Sequence, residues 1–288
     1  MLESLINPRR AEKGPWKMFL IGILYASLSL LLVKLFFTSD PVLVEYSGII
    51  VVLFCVLFSF PFMYYIIKQE EREDEYIGGG IKRIWSVHKD VVFSLIWLFL
   101  GFVVAFSFWF LVLHDSNLLN AQIQTYCSIN SPGQVSQCVT QYSTGKFVSP
   151  ATGDVTGLAQ FSSILQNNFY VMIFTLLFSL IFGAGAIFIL AWNATVIAGA
   201  VGIFTNFQII DIPLGLLRYM VHGIPEITAY FLAALAGGIL GTGLIRNGVN
   251  NQRFLHVIEN VIILMSAAVA ILIIAAFMEV YLTPLLFA

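Results

Sequence analysis

Charged residues are scarce in this chain: only 10% of its 288 residues are Asp, Glu, Lys or Arg, whereas a soluble domain carries charge on roughly a quarter of its residues. Hydrophobic residues make up 59% of the sequence, and the mean hydropathy is +0.91. The formal net charge of -2 leaves no continuous basic face to neutralise phosphates, which excludes a nucleic-acid binder. The composition predicts an all-α, polytopic membrane helix bundle whose first partner is the lipid bilayer.

Motifs for catalysis are missing as well. No HExxH or GxSxG sequence occurs, and no histidine motif accompanies the cysteines. We therefore expect a protein that is not an enzyme, with no catalytic residues, no metal and no cofactor. A small-residue cleavage site after the first apolar run is also missing, so we expect this run to stay as a span.

Cysteine occurs three times. Cys55 lies inside an apolar run, while Cys127 and Cys138 share the one long polar loop, residues 114–166. The pair predicts a disulfide if this loop faces an oxidising compartment, and two unpaired thiols are the alternative. Because the loop is long and poor in apolar residues, we expect much of it to be a mobile cap pinned by the cysteine pair.

Seven apolar runs predict seven membrane crossings, of which the fifth is shorter than the about 20 helical residues that a span usually takes. They cover residues 18–37, 42–67, 91–113, 167–192, 193–207, 224–245 and 256–282. The sequence Asn193-Ala194-Thr195 matches a glycosylation sequon, but we expect it in a tight turn between two spans, where a glycan does not fit.

The runs predict three parts. Residues 1–90 form a helical hairpin and a connector, residues 91–166 the third span and the polar loop, and residues 167–288 a membrane core. Within the connector, the three glycines at 78–80 predict a hinge. The basic, amphipathic piece that follows is either a sensor on the membrane surface or an elbow helix leading into the third span.

Orientation follows from lysine and arginine alone. Of the 14 such residues, all but Lys34, Lys146 and Arg218 fall on one side of a seven-span chain. This asymmetry predicts a multi-pass protein of the plasma membrane with a cytoplasmic N-terminus and an external C-terminus. The polar loop is then external.

Ionisable side chains inside the apolar spans mark the candidate site, because each is costly in hydrocarbon and needs a partner or a water-filled cleft. We expect an intramembrane polar cluster built from Arg218, His222, Glu226, Glu279 and Asn193. Neighbouring helices should enclose it.

The helix carrying Glu226 is expected to begin at Pro225, because proline suits a first helical turn. The segment before it, residues 209–221, is interrupted by polar residues and glycine, which predicts a re-entrant or broken element before the sixth span. Glu226 then either caps the helix and pairs with His222 or Arg218, or forms a proton or cation site beside a broken helix, as in many transporters.

Two stripes of small residues at four-residue spacing predict close helix packing. One consists of Ala233, Gly237 and Gly241, and the other of Ala194, Ala198 and Gly202. Either the two stripes pack against each other within the chain, or the first forms the seam of a homodimer.

The second half of the chain carries a series of motifs: Asn167-Asn168, FGAG at 182–185, Asn193, Gly199, HGIPE from His222 to Glu226, the Ala233/Gly237/Gly241 stripe, and the end of the last span at 279–284. Together they resemble the stage II sporulation protein M family. The region from Met1 to Arg83, with its extra spans and three glycines, is similar to the family's archaeal relatives. Ala194 departs from the family, which usually has glycine after this asparagine.

The resemblance implies a membrane scaffold without known chemistry. In spore-forming bacteria the family works with membrane-anchored cell-wall hydrolases, and members also occur in bacteria and archaea that make no spores. We therefore expect a non-enzymatic scaffold or membrane-organising protein with membrane-anchored partners. The alternative is a small transporter or channel that uses Glu226 and His222.

Overall fold

The computed structural model describes residues 15–74, 81–130, 134–144, 157–182, 186–205, 208–247 and 252–287. Every regular element within these ranges is helical. The helices are α1 (Pro15–Phe36), α2 (Ser47–Asp74), α3 (Ile81–Leu113), α4 (Asn120–Asn130), α5 (Val135–Thr144), α6 (Gly157–Phe182), α7 (Ala186–Phe204), α8 (Ile212–Asn247), α9 (Gln252–Phe277) and α10 (Thr283–Leu286). A π-helical turn, Met278–Leu282, joins α9 to α10.

Seven of these helices are long and apolar enough to cross a membrane, which confirms the predicted all-α bundle and its number of spans. The bundle is arranged around α8. Of the apolar window of α8, 82% is buried inside the protein, against 28% for α6. Helices α6 and α9 make the main contacts with α8, and the outer helices expose large apolar side chains on their outward faces.

The predicted boundary between the fourth and fifth spans is wrong. Helix α6 begins ten residues before Asn167, and α7 begins at Ala186. Asn193 therefore lies within a helix and not at a turn. Asparagine is tolerated inside a helix better than glycine is, so Asn193 does not end α7. Residues 183–185, between the two helices in the sequence, lie outside the described residues.

The expected start of the sixth span at Pro225 is also wrong. Helix α8 is unbroken from Ile212 to Asn247, with Pro225 inside it, so the expected re-entrant element is not a separate piece. Its 36 residues span about 54 Å, well beyond the roughly 30 Å hydrocarbon core. Neighbouring helices make Pro225 tolerable inside this helix.

The polar loop is more ordered than predicted. Ser116–Leu119 forms a 3-10 turn, followed by α4 and α5, and Ile123 and Cys127 belong to the main hydrophobic core. We call α4 and α5 the cap, and the end of the bundle that carries them the cap end. A disulfide joins Cys127 to Cys138 with an S–S distance of 1.99 Å.

Two contacts fix the cap end to the first hairpin. Lys34 forms an ion pair of 2.6 Å with Asp115, and the Gln122 amide donates to the Gly48 carbonyl at 2.9 Å. In the turn between α1 and α2, the backbone amides of Leu43 and Val42 donate to Asp40. These hydrogen bonds hold the pKa of the Asp40 carboxyl below its usual value.

Glycine allows α1 and α3 to cross in backbone contact. A Cβ atom on Gly22 would lie 3.1 Å from the Gly101 Cα. The hinge predicted at residues 78–80 lies outside the described residues, but α3 starts at Ile81 and continues into the third span without a break. This continuity favours the elbow helix over a separate sensor.

The two small-residue stripes do not pack against each other. Gly237 and Gly241 face the backbone of α6 around Leu180, whereas Gly202 faces the ring of Phe110 on α3. Ala233, Ala194 and Ala198 are fully buried. Both stripes are therefore used inside the chain, and the first is not available as a dimer seam.

Candidate functional site

Helix α8 places four polar side chains at every fourth position: Arg218, His222, Glu226 and Tyr230. Residues at this spacing lie on one face of a helix. The opposite wall comes from the end of the last span, where Glu279 and Thr283 are four residues apart. We call these six residues the polar column.

Glu226 sits near the bottom of the column. The Tyr230 hydroxyl donates to its Oε1 atom at 2.7 Å, and the Tyr230 side chain is 1% exposed. Because α8 begins fourteen residues earlier, Glu226 does not cap a helix. The expected capping role is wrong, and a tyrosine that the sequence analysis did not select supplies the partner.

Glu279 lies in the π-helical turn Met278–Leu282, within electrostatic range of Glu226. The Thr283 hydroxyl donates to the Met278 carbonyl, five residues earlier, at 3.0 Å. Turns of this kind are rare and often occur at functional sites. The structure thus brings together the two glutamates that the sequence analysis selected from different spans.

His222 lies one turn above Glu226. Its Nδ1 atom is 3.2 Å from the Thr283 hydroxyl. Since that hydroxyl gives its one proton to the Met278 carbonyl, it accepts from His222, which assigns the ring proton to Nδ1. The chain of hydrogen bonds therefore crosses from α8 to the π-helical turn.

Arg218 forms the top of the column, near the cap end. Its Nη1 atom donates to the Phe287 carbonyl at 3.1 Å, and its guanidinium lies 4.7 Å from the centre of the Phe204 ring. Among the described residues, neither glutamate of the column forms an ion pair within 4 Å. The expected pairing of Glu226 with His222 or Arg218 is therefore wrong.

Asn193 is not hydrogen-bonded to the column within the described part of the chain. Its amide donates to the Ile189 carbonyl of its own helix at 2.7 Å. The part-buried Asn193 thus satisfies its polar group within its own helix.

A tyrosine of the cap lies over the column. Tyr126 of α4 shares a hydrogen bond with Tyr219 and is within electrostatic range of Arg218 and Glu279. Burial raises the pKa of the Tyr126 phenol. This contact was not predicted, because it joins a loop helix to a span more than ninety residues later.

The column ends inside the bundle. After Tyr230 the helix continues with the apolar sequence FLAALAGGI, residues 231–239, all of which are buried. Within the described residues, no three His, Cys, Asp or Glu side chains are grouped so as to hold a metal ion. The arrangement is a column of polar side chains, held by separate hydrogen bonds, that starts near the cap end and stops partway through the bundle.

Comparison with known proteins gives one match. A family model described as Stage II sporulation protein M matches residues 50–284. The match begins in the second span and so extends well before Asn167, where the motifs that suggested the resemblance begin. No curated protein and no solved structure matches this chain.

Proposed function

This chain belongs to the stage II sporulation protein M family, and from that premise we propose that it acts as a non-enzymatic scaffold that organises membrane-anchored proteins. The blind end of the polar column supports this proposal. A conduction path needs polar groups or water along its whole length, and residues 231–239 offer neither polar side chains nor exposed surface.

The pairing within the column supports the same proposal. His222 bonds Thr283, Arg218 bonds the Phe287 carbonyl, and Glu226 accepts from Tyr230. The first two of these contacts join α8 to the end of the last span and fix its register there. Polar side chains that bind each other between helices act as packing contacts in a bilayer.

A small transporter that uses Glu226 and His222 is the second candidate. The observation that favours it is the pair of glutamates beside a π-helical turn, because carboxyl groups inside a membrane often carry protons or cations. Proteoliposome flux separates the two candidates. A scaffold gives no proton or cation flux above that of empty liposomes, whereas flux that Glu226→Gln abolishes would establish the transporter.

A scaffold also needs an accessible surface for partners, and the cap supplies a folded one. We expect a photo-crosslinking residue at the exposed position Gln137 of α5 to capture a membrane-anchored protein in the native host. The matched control is the same crosslinking residue placed at Leu177, which is exposed on the outer side of α6. At this position it should capture lipid. Equal protein capture at both positions would argue against partner binding by the cap.

The same proposal places the cap outside the plasma membrane and the N-terminus in the cytoplasm. Cysteines introduced one at a time at Ser136 and Asp90, both exposed, test this orientation. An impermeant maleimide should label the first in intact cells and the second only after the membrane is opened. Labelling of both from the same side would contradict the orientation.

A further inference from the structure

The top of the polar column lies beneath the cap. Arg218 and Tyr219 stand at the cap end of α8, and Tyr126 of α4 shares a hydrogen bond with Tyr219 and lies within electrostatic range of Arg218. We propose that the cap is a cover that keeps water out of the column, with Tyr126 as the closing side chain and the Cys127–Cys138 disulfide as the bond that holds it in place. This proposal does not depend on whether the protein is a scaffold or a transporter.

The first half of α4 fixes the position of Tyr126. Gln122 is fully buried and donates to the Gly48 carbonyl of α2, and Ile123 is 1% exposed and faces Gly199 of α7. Tyr126 follows these residues by four and three positions, so it lies on the same side of the helix. The anchors therefore turn Tyr126 inward, toward α8.

The disulfide restrains the movement of the second half of α4. Cys127, next to Tyr126, is fully buried and is bonded to Cys138 of α5. Within residues 135–140 of α5, Val135, Cys138 and Val139 are turned inward, and the polar residues Ser136, Gln137 and Thr140 are exposed. This part of the helix therefore has little apolar surface to hold it in place. A cross-link over a sequence separation of 11 limits how far such a segment can open.

A cysteine at Thr283, which is 5% exposed, reports whether water reaches the column. The protein is placed in lipid nanodiscs with Cys55 replaced by alanine, and the rate of reaction with a charged thiol reagent is measured. We expect slow reaction when the disulfide is present. In Cys127→Ala/Cys138→Ala, or in Tyr126→Ala with the disulfide intact, the rate should rise by roughly tenfold or more, because the restraint on local opening is lost.

Three controls make the result decisive. Gln124→Ala, an exposed position of the same helix, should leave the reaction slow. A cysteine at Ser136 should react quickly in every variant, and one at Ala236, which is fully buried, should react slowly in every variant. Rapid reaction of the cysteine at Ala236 in the variant without the disulfide would mean that this variant has loosened as a whole. The reaction rate at Thr283→Cys in Tyr126→Ala is then the deciding measurement.

Two results would overturn the proposal. Fast reaction at Thr283→Cys in the intact protein would mean that the cap does not exclude water. Slow reaction at Thr283→Cys in the Tyr126→Ala variant would mean that the Tyr126 side chain does not keep water out of the column. This conclusion would hold whatever rate is measured in the variant without the disulfide.

Discussion

Replacing Gly237 with valine is expected to remove most of the correctly folded protein. A Cβ atom at this position would lie 2.9 Å from the Ser179 Cβ and 3.1 Å from the Leu180 backbone nitrogen, and would also meet the Leu176 carbonyl. Backbone atoms cannot turn aside as a flexible side chain can, so α6 and α8 must separate. Overpacking of this kind costs about 1–3 kcal/mol and sometimes more, a large part of a total stability of roughly 5–15 kcal/mol.

The measurement is the yield of monodisperse protein and its thermal stability in detergent. Gly223→Ala on the same helix is the matched control, because its new methyl group would lie 3.4 Å from the Met220 Cε and 3.8 Å from the Ile197 Cδ1, which is ordinary contact. Alanine also favours a helix over glycine by up to about 1 kcal/mol. Wild-type stability of Gly237→Val would contradict the packing of α8 on α6.

Replacing Glu226 with alanine is expected to lower the free energy of unfolding by about 1–3 kcal/mol, because it leaves the buried Tyr230 hydroxyl without an acceptor. Glu226→Gln should cost less, since its amide oxygen can still accept from Tyr230. Glu279→Gln is the matched control, because it leaves the Tyr230–Glu226 hydrogen bond intact.

A double-mutant cycle with Tyr230→Phe isolates the hydrogen bond. If the Tyr230 hydroxyl accounts for the loss, Tyr230→Phe in the Glu226→Ala background should restore part of the stability, with a coupling of roughly 0.5–3 kcal/mol. Thermal unfolding of the four proteins in one detergent gives the value. Additive effects would show that Glu226 and Tyr230 do not interact and would remove the lower end of the polar column.

The sequence predicted those features that depend on composition and local spacing. Seven apolar runs gave the number of spans, and the motifs around His222 gave the family, which the match over residues 50–284 confirms. The polar face of α8 could also be predicted, because its polar side chains recur at every fourth residue. Tyr230 completes that pattern, but an aromatic residue in a membrane helix gives no signal of its own.

The missed features depend on tertiary contacts. Pro225 and Asn193 suggested ends of helices, and neighbouring helices allow both to lie inside one. The partner of Gly237 and Gly241 could not be predicted, because the facing surface of α6 is backbone around Leu180 and carries no stripe of small residues. Thr283 and Tyr126 come close to the polar face of α8 only through the packing of the last span and the cap against that helix.

The central position of α8 has a consequence for biosynthesis. A membrane chain is inserted from its N-terminus, and α8 is the sixth of the seven spans to be made. Helices α1 and α3 can join through Gly22 and Gly101 as soon as both are in the bilayer. Helix α6, whose main contacts are with α8, must wait as a separate span until α8 arrives. Its mostly lipid-facing surface allows that delay, so the second half of the bundle assembles only near the end of translation.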